Sequence, residues 1–398
     1  MKPEEYGALR DDAERALYCD MIARSFAIAR AETPAILDRG GRGNARVWRE
    51  HGRAIGGLFL IPMGQWFGGK SVPMTGVAAV AVEPFARGKG AAKRLLTAML
   101  HELHAKNIAL STLYPATQSL YRAVGYEQAG SRHEIRARCR DLVLDPRTLG
   151  DAAGALAIVR LDRGDDPRIR GAYREVAQRS PGWLDRDESM WGRVPEWRGE
   201  TREGYAVLSG RDIVGYAFVA PRRLDSGHHN LLLSDLVAVD AHAARRLFAF
   251  FAGHRSIADE VVWFGAATDA MLAVLPEMSY GARLVYNWML RIVDVRAALE
   301  QRGYSASVQA ELHLEVHDDV LAANNARFLL HLENGRASVK PGGKGRIELD
   351  VRALASLYTG FLSAESLAAT GRLKAEKNDL ARASAVFAGQ APSMPDMF

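Results

Sequence analysis

The sequence predicts a mixed α/β and α+β protein, with two tandem mixed-sheet units carrying flanking helices and then a smaller α+β segment. Three observations lead there. The chain has 398 residues, too many for one core at roughly 150 residues per domain. β-rich runs and helical periodicities succeed one another in the order helix, antiparallel strands, helix, strand, and that order returns in outline in the middle of the chain. Past Val285 the pattern changes to a hairpin followed by short helices. The expected divisions are residues 1–150, 151–284 and 285–398.

The first element is a helix over Ala13 to Phe26, where Leu17, Tyr18, Met21, Ile22 and Phe26 share one side at a 3.6-residue period. Strands Arg46–Arg49, Ala54–Met63 and Val72–Val82 follow, punctuated by His51-Gly52 and Gly68-Gly69 as an antiparallel meander. Arg87 to Lys106 repeats leucines at helical spacing; Ile108–Leu113 is a strand and Thr117–Ala123 a short helix. His133 to Val143 alternates Ile135, Ala137 and Cys139 with charged residues, a half-exposed strand that closes the unit. The second unit offers strands Tyr205–Ser209, Ile213–Ala220 and Asn230–Val239, then an apolar helix Ala243–Gly253. In the third segment Leu312, Leu314 and Val316 alternate along a strand, and Asn334-Gly335 marks a two-residue hairpin turn between Arg327–Leu332 and Arg336–Lys340. Helices Val351–Tyr358, Ala364–Ala369 and Asp379–Ala388 complete it.

Composition excludes several classes. Hydrophobic residues at 48% and charged ones at 25% are ordinary for a globular chain, against long disorder or a collagenous scaffold. Cys19 and Cys139 stand apart without metal-ligand spacing, so the expectation is no disulfide framework, no metal and a reducing, cytoplasmic setting. No apolar run has the length of a membrane span, and the acidic N-terminus lacks the apolar core of a secretory signal. A net charge of +5 is small for this length, and no basic run is interleaved with aromatics, so neither nucleic acid nor membrane is expected as a partner.

Chemistry concentrates in GVAAVAVEPFARGKGAAKRLL, residues 76–96, where a strand meets a helix through Arg87, Gly88, Lys89 and Gly90. Glycines admit an anion close to the backbone, free N–H groups point at its oxygens, and the helix N-terminus adds about half a positive charge. Phosphate is the expected guest, with Arg87, Lys89 and Lys93 as countercharge. A P-loop lacks its G-K-[ST], and a dinucleotide fingerprint lacks its third glycine, whose place Lys93 takes.

Arg87-x-x-Gly90-x-Ala92 resembles the acetyl-CoA signature of the GNAT acetyltransferases, with the preceding strand and Pro84 in place. That resemblance implies a coenzyme site along Val80, Ala81, Val82, Arg87, Gly88, Lys89, Gly90, Ala91 and Ala92. Leu120-Tyr121-Arg122-Ala123-Val124-Gly125-Tyr126 is similar to the GNAT segment in which a helical tyrosine precedes a glycine-aromatic turn. A phenol there can protonate the departing thiolate, which makes Tyr121 the candidate general acid; packing beneath the sheet is the other reading.

Over nearly its whole length the sequence resembles the Eis (enhanced intracellular survival) family, on VPMTGVAAVAVEPFARGKG, SLYRAVGYE, GWLDRDESMW, RIVDVRAALEQRGY and the terminal phenylalanine. The resemblance implies a GNAT domain, a second GNAT-like domain and a sterol-carrier-protein-like C-terminal domain. It also implies acetyl-CoA-dependent transfer to amines, such as those of an aminoglycoside or another polyamine, by homo-hexamers. The implied general base is the α-carboxylate of Phe398, and Trp66 and Asp396 are candidates for the amine pocket. Two prolines and the apolar Met397 and Phe398 suit the tail to docking.

The second unit departs from the signature, because Asp240 follows its strand where phosphate would sit, so no coenzyme is expected there. Gly342-Gly343-Lys344-Gly345 precedes a strand and fails as a phosphate loop, which leaves the third segment an assembly role. His313 and His317, with Glu315 between them, read either as metal ligands or, as such rows more often are, as a solvated strand face; His101 and His104 read as helix surface, the cysteines as core fillers, and Trp183, Trp191 and Trp197 as packing. The competing function is a non-catalytic lipid or small-molecule carrier built on the third segment.

Overall fold

The computed structural model describes residues 4–144, 155–161, 166–197 and 199–398. They fold as two compact units: the first combines residues up to Gly130 with Asn287–Gln390 and Phe398, the second combines Ser131–Tyr286 with Ala391–Met397. The boundary expected near residue 150 lies outside the described residues, and the units part at Gly130/Ser131 and Tyr286/Asn287. The third segment shares a unit with the first.

The chain opens with β1 (Glu5–Ala8), α1 (Asp12–Phe26), α2 (Thr33–Arg39), β2 (Ala45–Glu50), β3 (Arg53–Phe67) and β4 (Lys70–Val82). Asp11 caps α1 by accepting from the Glu14 N–H at 2.8 Å, and the helix buries Tyr18, Cys19, Met21 and Ile22. His51-Gly52 and Gly68-Gly69 all take positive φ (53°, 81°, 58° and 83°), as two-residue hairpin turns matched to strand twist require. Then come α3 (Ala91–Ala105), β5 (Leu110–Leu113), α4 (Gln118–Arg122) and β6 (Glu127–Arg138). Helix α3 begins at Ala91 rather than at Arg87, so the glycine run stays a loop. It buries Leu95, Leu96, Met99, Leu100 and Leu103 on one face.

The middle stretch contains β7 (Ala157–Arg160), α5 (Pro167–Gln178), β8 (Leu184–Asp185), α6 (Glu188–Trp191), β9 (Glu196–Trp197) and β10 (Glu200–Thr201). It continues with β11 (Glu203–Ser209), β12 (Asp212–Arg223), β13 (His229–Ala238), α7 (Ala241–Ala252), β14 (Ala258–Gly265) and β15 (Tyr280–Ile292). Strands β7, β11, β12, β13 and β14 lie side by side in that order, with residues 133–138 antiparallel to β14. Leu247, Phe248 and Phe251 of α7 pack with Ile135, Ala137, Val261 and Trp263 in this unit's core.

The third segment is α8 (Val295–Gln301), β16 (Ala310–His317), β17 (Ala326–Glu333), β18 (Arg336–Pro341), β19 (Ile347–Asp350), α9 (Val351–Thr359), α10 (Ala364–Ala369), β20 (Leu373–Lys374) and α11 (Lys377–Phe387). Its sheet runs β18-β17-β16-β19-β20. Glu333 pairs with Arg336 across Asn334-Gly335, both at positive φ, as the dipeptide predicts.

One strand sits where periodicity did not put it. Met289–Ile292 of β15 pair antiparallel with Leu113–Leu110, completing the first unit's sheet in the order β1-β2-β3-β4-β5-β15. Met289, Val293 and Leu321 therefore share one core with Leu96, Met99, Tyr121 and Tyr126.

Candidate active site

Strands β4 and β5 are parallel but pair only at Met74–Leu110, Thr75–Ser111 and Gly76–Thr112. Beyond Gly76 they fork. In the open limb Ala79 adopts φ 51° and the pairing with β3 slips between Gly57 and Phe59, a β-bulge that turns the backbone of Val80, Ala81 and Val82. The buried Tyr18 hydroxyl donates to the Ala79 carbonyl at 2.9 Å and fixes it.

The limb ends in the glycine loop. Gly88 and Gly90 take φ 75° and 83°, and a Cβ at Gly88 would meet nothing within 4 Å, so the loop is a cradle open on its outer side. Gly90 is the N-cap of the 15-residue α3 and supplies no side-chain acceptor, which leaves the N–H groups of Ala91, Ala92 and Lys93 available to an anion. Arg87, Lys89 and Lys93 are exposed around it. Arg94 donates to the Lys89 carbonyl at 3.0 Å and pins the loop from within. The donor set fits the phosphates of a coenzyme. In the second unit the corresponding helix α7 is capped by Asp240, whose carboxylate accepts from the Ala243 N–H at 2.8 Å and fills the place an anion would take.

Tyr121, on α4, is 5% exposed, and its ring meets Tyr126 edge-on at 6.0 Å. Burial pushes its phenol up to about 12. Its hydroxyl makes no hydrogen bond to a described residue. The Tyr126 hydroxyl, by contrast, is engaged at 2.6 Å with Ser111 Oγ, which in turn donates to the Thr75 carbonyl. Of the two phenols, Tyr126 is the one already engaged within the core.

Phe398 belongs to the first unit. Its ring covers Gly76, where a Cβ would stand 2.7 Å from it, and meets Tyr114 edge-on at 5.9 Å. The last residue is thus seated where the strands part. The preceding tail is docked on the second unit by backbone bonds Ser131 N–H to Pro392 O (3.1 Å), Met394 N–H to Ser131 O (3.1 Å) and Ser393 N–H to Pro181 O (3.0 Å).

Asp396, expected at the amine pocket, is engaged in an ion pair. Its carboxylate is held by Arg186 at 2.9 Å, and Arg186 is paired at 2.6 Å with the buried Asp235, which anchors the tail. Trp66 is 7% exposed on β3, and its indole N–H has no partner among the described residues. Among the described residues no group of three or more His, Cys, Asp or Glu could hold a metal. His313 and His317 each face a glutamate, Glu311 and Glu348, and both cysteines are buried and unbridged. No described helix is long and apolar enough to cross a membrane.

Sequence reasoning missed the groups that hold the Tyr121 turn. Arg291, fully buried, donates to the Val124 carbonyl at 3.0 Å and pairs with Asp318 at 2.7 Å. The only sequence signal was Gly125: at φ 89° its missing side chain leaves room for the guanidinium, 2.7 Å from where a Cβ would stand.

Residues 10–129 and 182–292 each match the family described as acetyltransferase (GNAT) domain, and residues 295–395 match the sterol carrier protein domain. N-acetyltransferase Eis of Mycobacterium tuberculosis is 31% identical over 338 residues, which cover 81% of this chain and 79% of that protein. The GCN5-related N-acetyltransferase from Anabaena variabilis superposes with a TM-score of 0.94 at 36% identity, covering 100% of both chains. Eis1 from Mycobacterium abscessus shares the fold, with a TM-score of 0.81 at 23% identity over 100% of both chains.

Proposed function

This chain belongs to the Eis family of GNAT N-acetyltransferases, and we propose that it moves acetyl from acetyl-CoA to an amine of a cationic substrate by direct attack in a ternary complex. An aminoglycoside, another polyamine or a lysine-type amine is the substrate class. Acetyl-CoA supplies the thioester; the Gly88–Gly90 cradle and the first turn of α3 hold its phosphates, and the bulged limb Val80–Val82 lies alongside its arm. Homo-hexameric assembly and a cytoplasmic location belong to the same proposal.

Tyr121 is the general acid. With burial holding its phenol near about 12, it carries its proton at neutral pH and gives it to the leaving sulfur. The same desolvation raises the basicity of a thiolate formed beside it, which brings donor and acceptor closer in affinity. The base is the α-carboxylate of Phe398. A carboxylate near ~3.5 cannot strip an ammonium near ~10 at equilibrium, so the amine attacks as its free base, having given its extra proton to water. The carboxylate accepts a second proton from the nitrogen as the C–N bond forms and that nitrogen becomes cationic and acidic.

The observation that carries this reading is the seat of Phe398 on Gly76 and Tyr114, at the fork of β4 and β5. The test compares chains ending at Phe398 with chains extended by three glycines, by thiol release with a panel of amines and by acetyl-CoA titration. Extension turns the carboxylate into an amide: kcat falls ~10²-fold or more and coenzyme affinity stays. Full turnover in the extended chain refutes the terminal base. No observation favours the carrier reading over the enzyme.

A further inference from the structure

Helix α4 has only five residues, too short to persist on its own, and its C-terminal carbonyls accept from the turn that follows, Arg122 O from the Gly125 N–H at 3.0 Å. It nevertheless has to hold Tyr121 in one place. Further donors, which tie this turn to the rest of its unit, come from residues far along the chain. Arg352 Nε donates to the Arg122 carbonyl at 2.7 Å and Arg291 Nε to the Val124 carbonyl at 3.0 Å. Ser356 Oγ donates to the Gln128 carbonyl at 2.7 Å, just past the turn. Arg352 and Ser356 are four residues apart on α9, on one face, so a single helix grips both flanks of the segment. Arg291 is itself held by Asp318, which also accepts from Asn324 Nδ2 at 2.9 Å.

We propose that the sterol-carrier-like segment positions the general acid: Arg352 and Ser356 of α9, with Arg291 and Asp318, clamp the carbonyls around the turn that carries Tyr121. The segment then has a part in the chemistry beyond assembly, and it acts through Tyr121 without touching substrate. Two contacts inside the turn carry the constraint to that residue, because the Val124 and Tyr126 N–H groups both donate to the Tyr121 carbonyl at 3.1 Å. The inference rests on Tyr121 being the acid.

Arg352→Met removes the donor and keeps the apolar stem, and Ser356→Ala removes one hydroxyl; both avoid the buried Arg291–Asp318 pair, whose disruption endangers folding. Each is made in the wild-type and in the Tyr121→Phe background, and kcat, both KM values, acetyl-CoA affinity and thermal midpoint are measured. A misplaced acid slows turnover without weakening binding, so Arg352→Met lowers kcat by about 10-fold with KM and affinity within twofold. Arg352→Lys restores part of the loss. In the Tyr121→Phe background the same substitution changes kcat by less than about twofold, because no acid is left to misplace.

Wild-type kcat in both α9 variants overturns the clamp and leaves the acid standing. So does an equal loss in both backgrounds, which is the mark of a merely structural role. Wild-type kcat in Tyr121→Phe alone removes the acid and the clamp together, and the two failures are therefore told apart.

Discussion

A methyl group on Gly76 would test the seat of the last residue without altering that residue. The added Cβ stands 2.7 Å from Cε2 and 3.1 Å from Cδ2 of Phe398, and 2.6 Å from Met63 Cε. Carbon atoms rest at about 3.5–4.0 Å, so both neighbours must withdraw by roughly 1 Å. Met63 can swing its flexible end away. The Phe398 ring must leave its place against Tyr114, and the carboxylate on the same residue shifts with it. Misplacing a reacting group by ~1 Å costs up to ~10²-fold, so Gly76→Ala is expected to lower kcat by 10- to 100-fold. Overpacking costs about 1–3 kcal/mol, partly offset by the ~0.4–1 kcal/mol that alanine gains over glycine in the unfolded chain. The thermal midpoint therefore falls by only a few degrees. Gly389→Ala, where a Cβ meets nothing within 4 Å, is the control for the substitution itself. Thiol-release kinetics, coenzyme titration and a thermal melt on both variants decide it: Gly76→Ala with wild-type kcat would mean that the ring position has no bearing on the proton acceptor.

Two further expectations concern the coenzyme loop and the acid. Gly90→Glu places a carboxylate and a strained φ of 83° where the anion should sit, so acetyl-CoA affinity drops by at least ~10²-fold while the melt stays cooperative; undiminished affinity removes the loop from the site. Because the Tyr121 phenol is raised from 10.0 to about 12, its neutral form persists below both values and is lost only as pH climbs through about 12. The profile of kcat should therefore show no falling limb from Tyr121 below pH ~10.5, and a Tyr121-dependent limb with a midpoint near 9 would contradict its burial.

Local chemistry was legible where a residue type has few alternatives. Gly88 and Gly90 could be read because positive φ together with an open approach leaves little choice but glycine, and Asn334-Gly335 because a two-residue turn demands φ above zero twice. Asp240 stood out as an acidic residue at the end of its strand, and the structure makes it the cap of α7. What stayed hidden depends on partners distant in sequence. Nothing around Ala79 announces a bulge, since the Tyr18 hydroxyl that holds it lies on another element. The ion pair of Asp396 with Arg186, 210 residues away, leaves no mark in the sequence. Arg291 and Asp318 carry no periodicity or motif; their pairing exists only once β15 lies next to β5.

That neighbour of β5 has a consequence for synthesis. Translation proceeds at about 5–20 residues per second, so after Leu113 leaves the ribosome its strand waits on the order of ten seconds or more before Met289 can reach it. Until then one edge of the first sheet exposes unpaired N–H and C=O groups, a template for pairing with any other nascent chain. The first unit is thus among the last parts of the molecule to mature, although its Gly88–Gly90 loop is made within the first hundred residues. A fragment cut after residue 130 carries the glycine loop and Tyr121 and still lacks the strand that pairs with β5. Such a fragment also lacks Asn287–Gln390, the rest of its own compact unit.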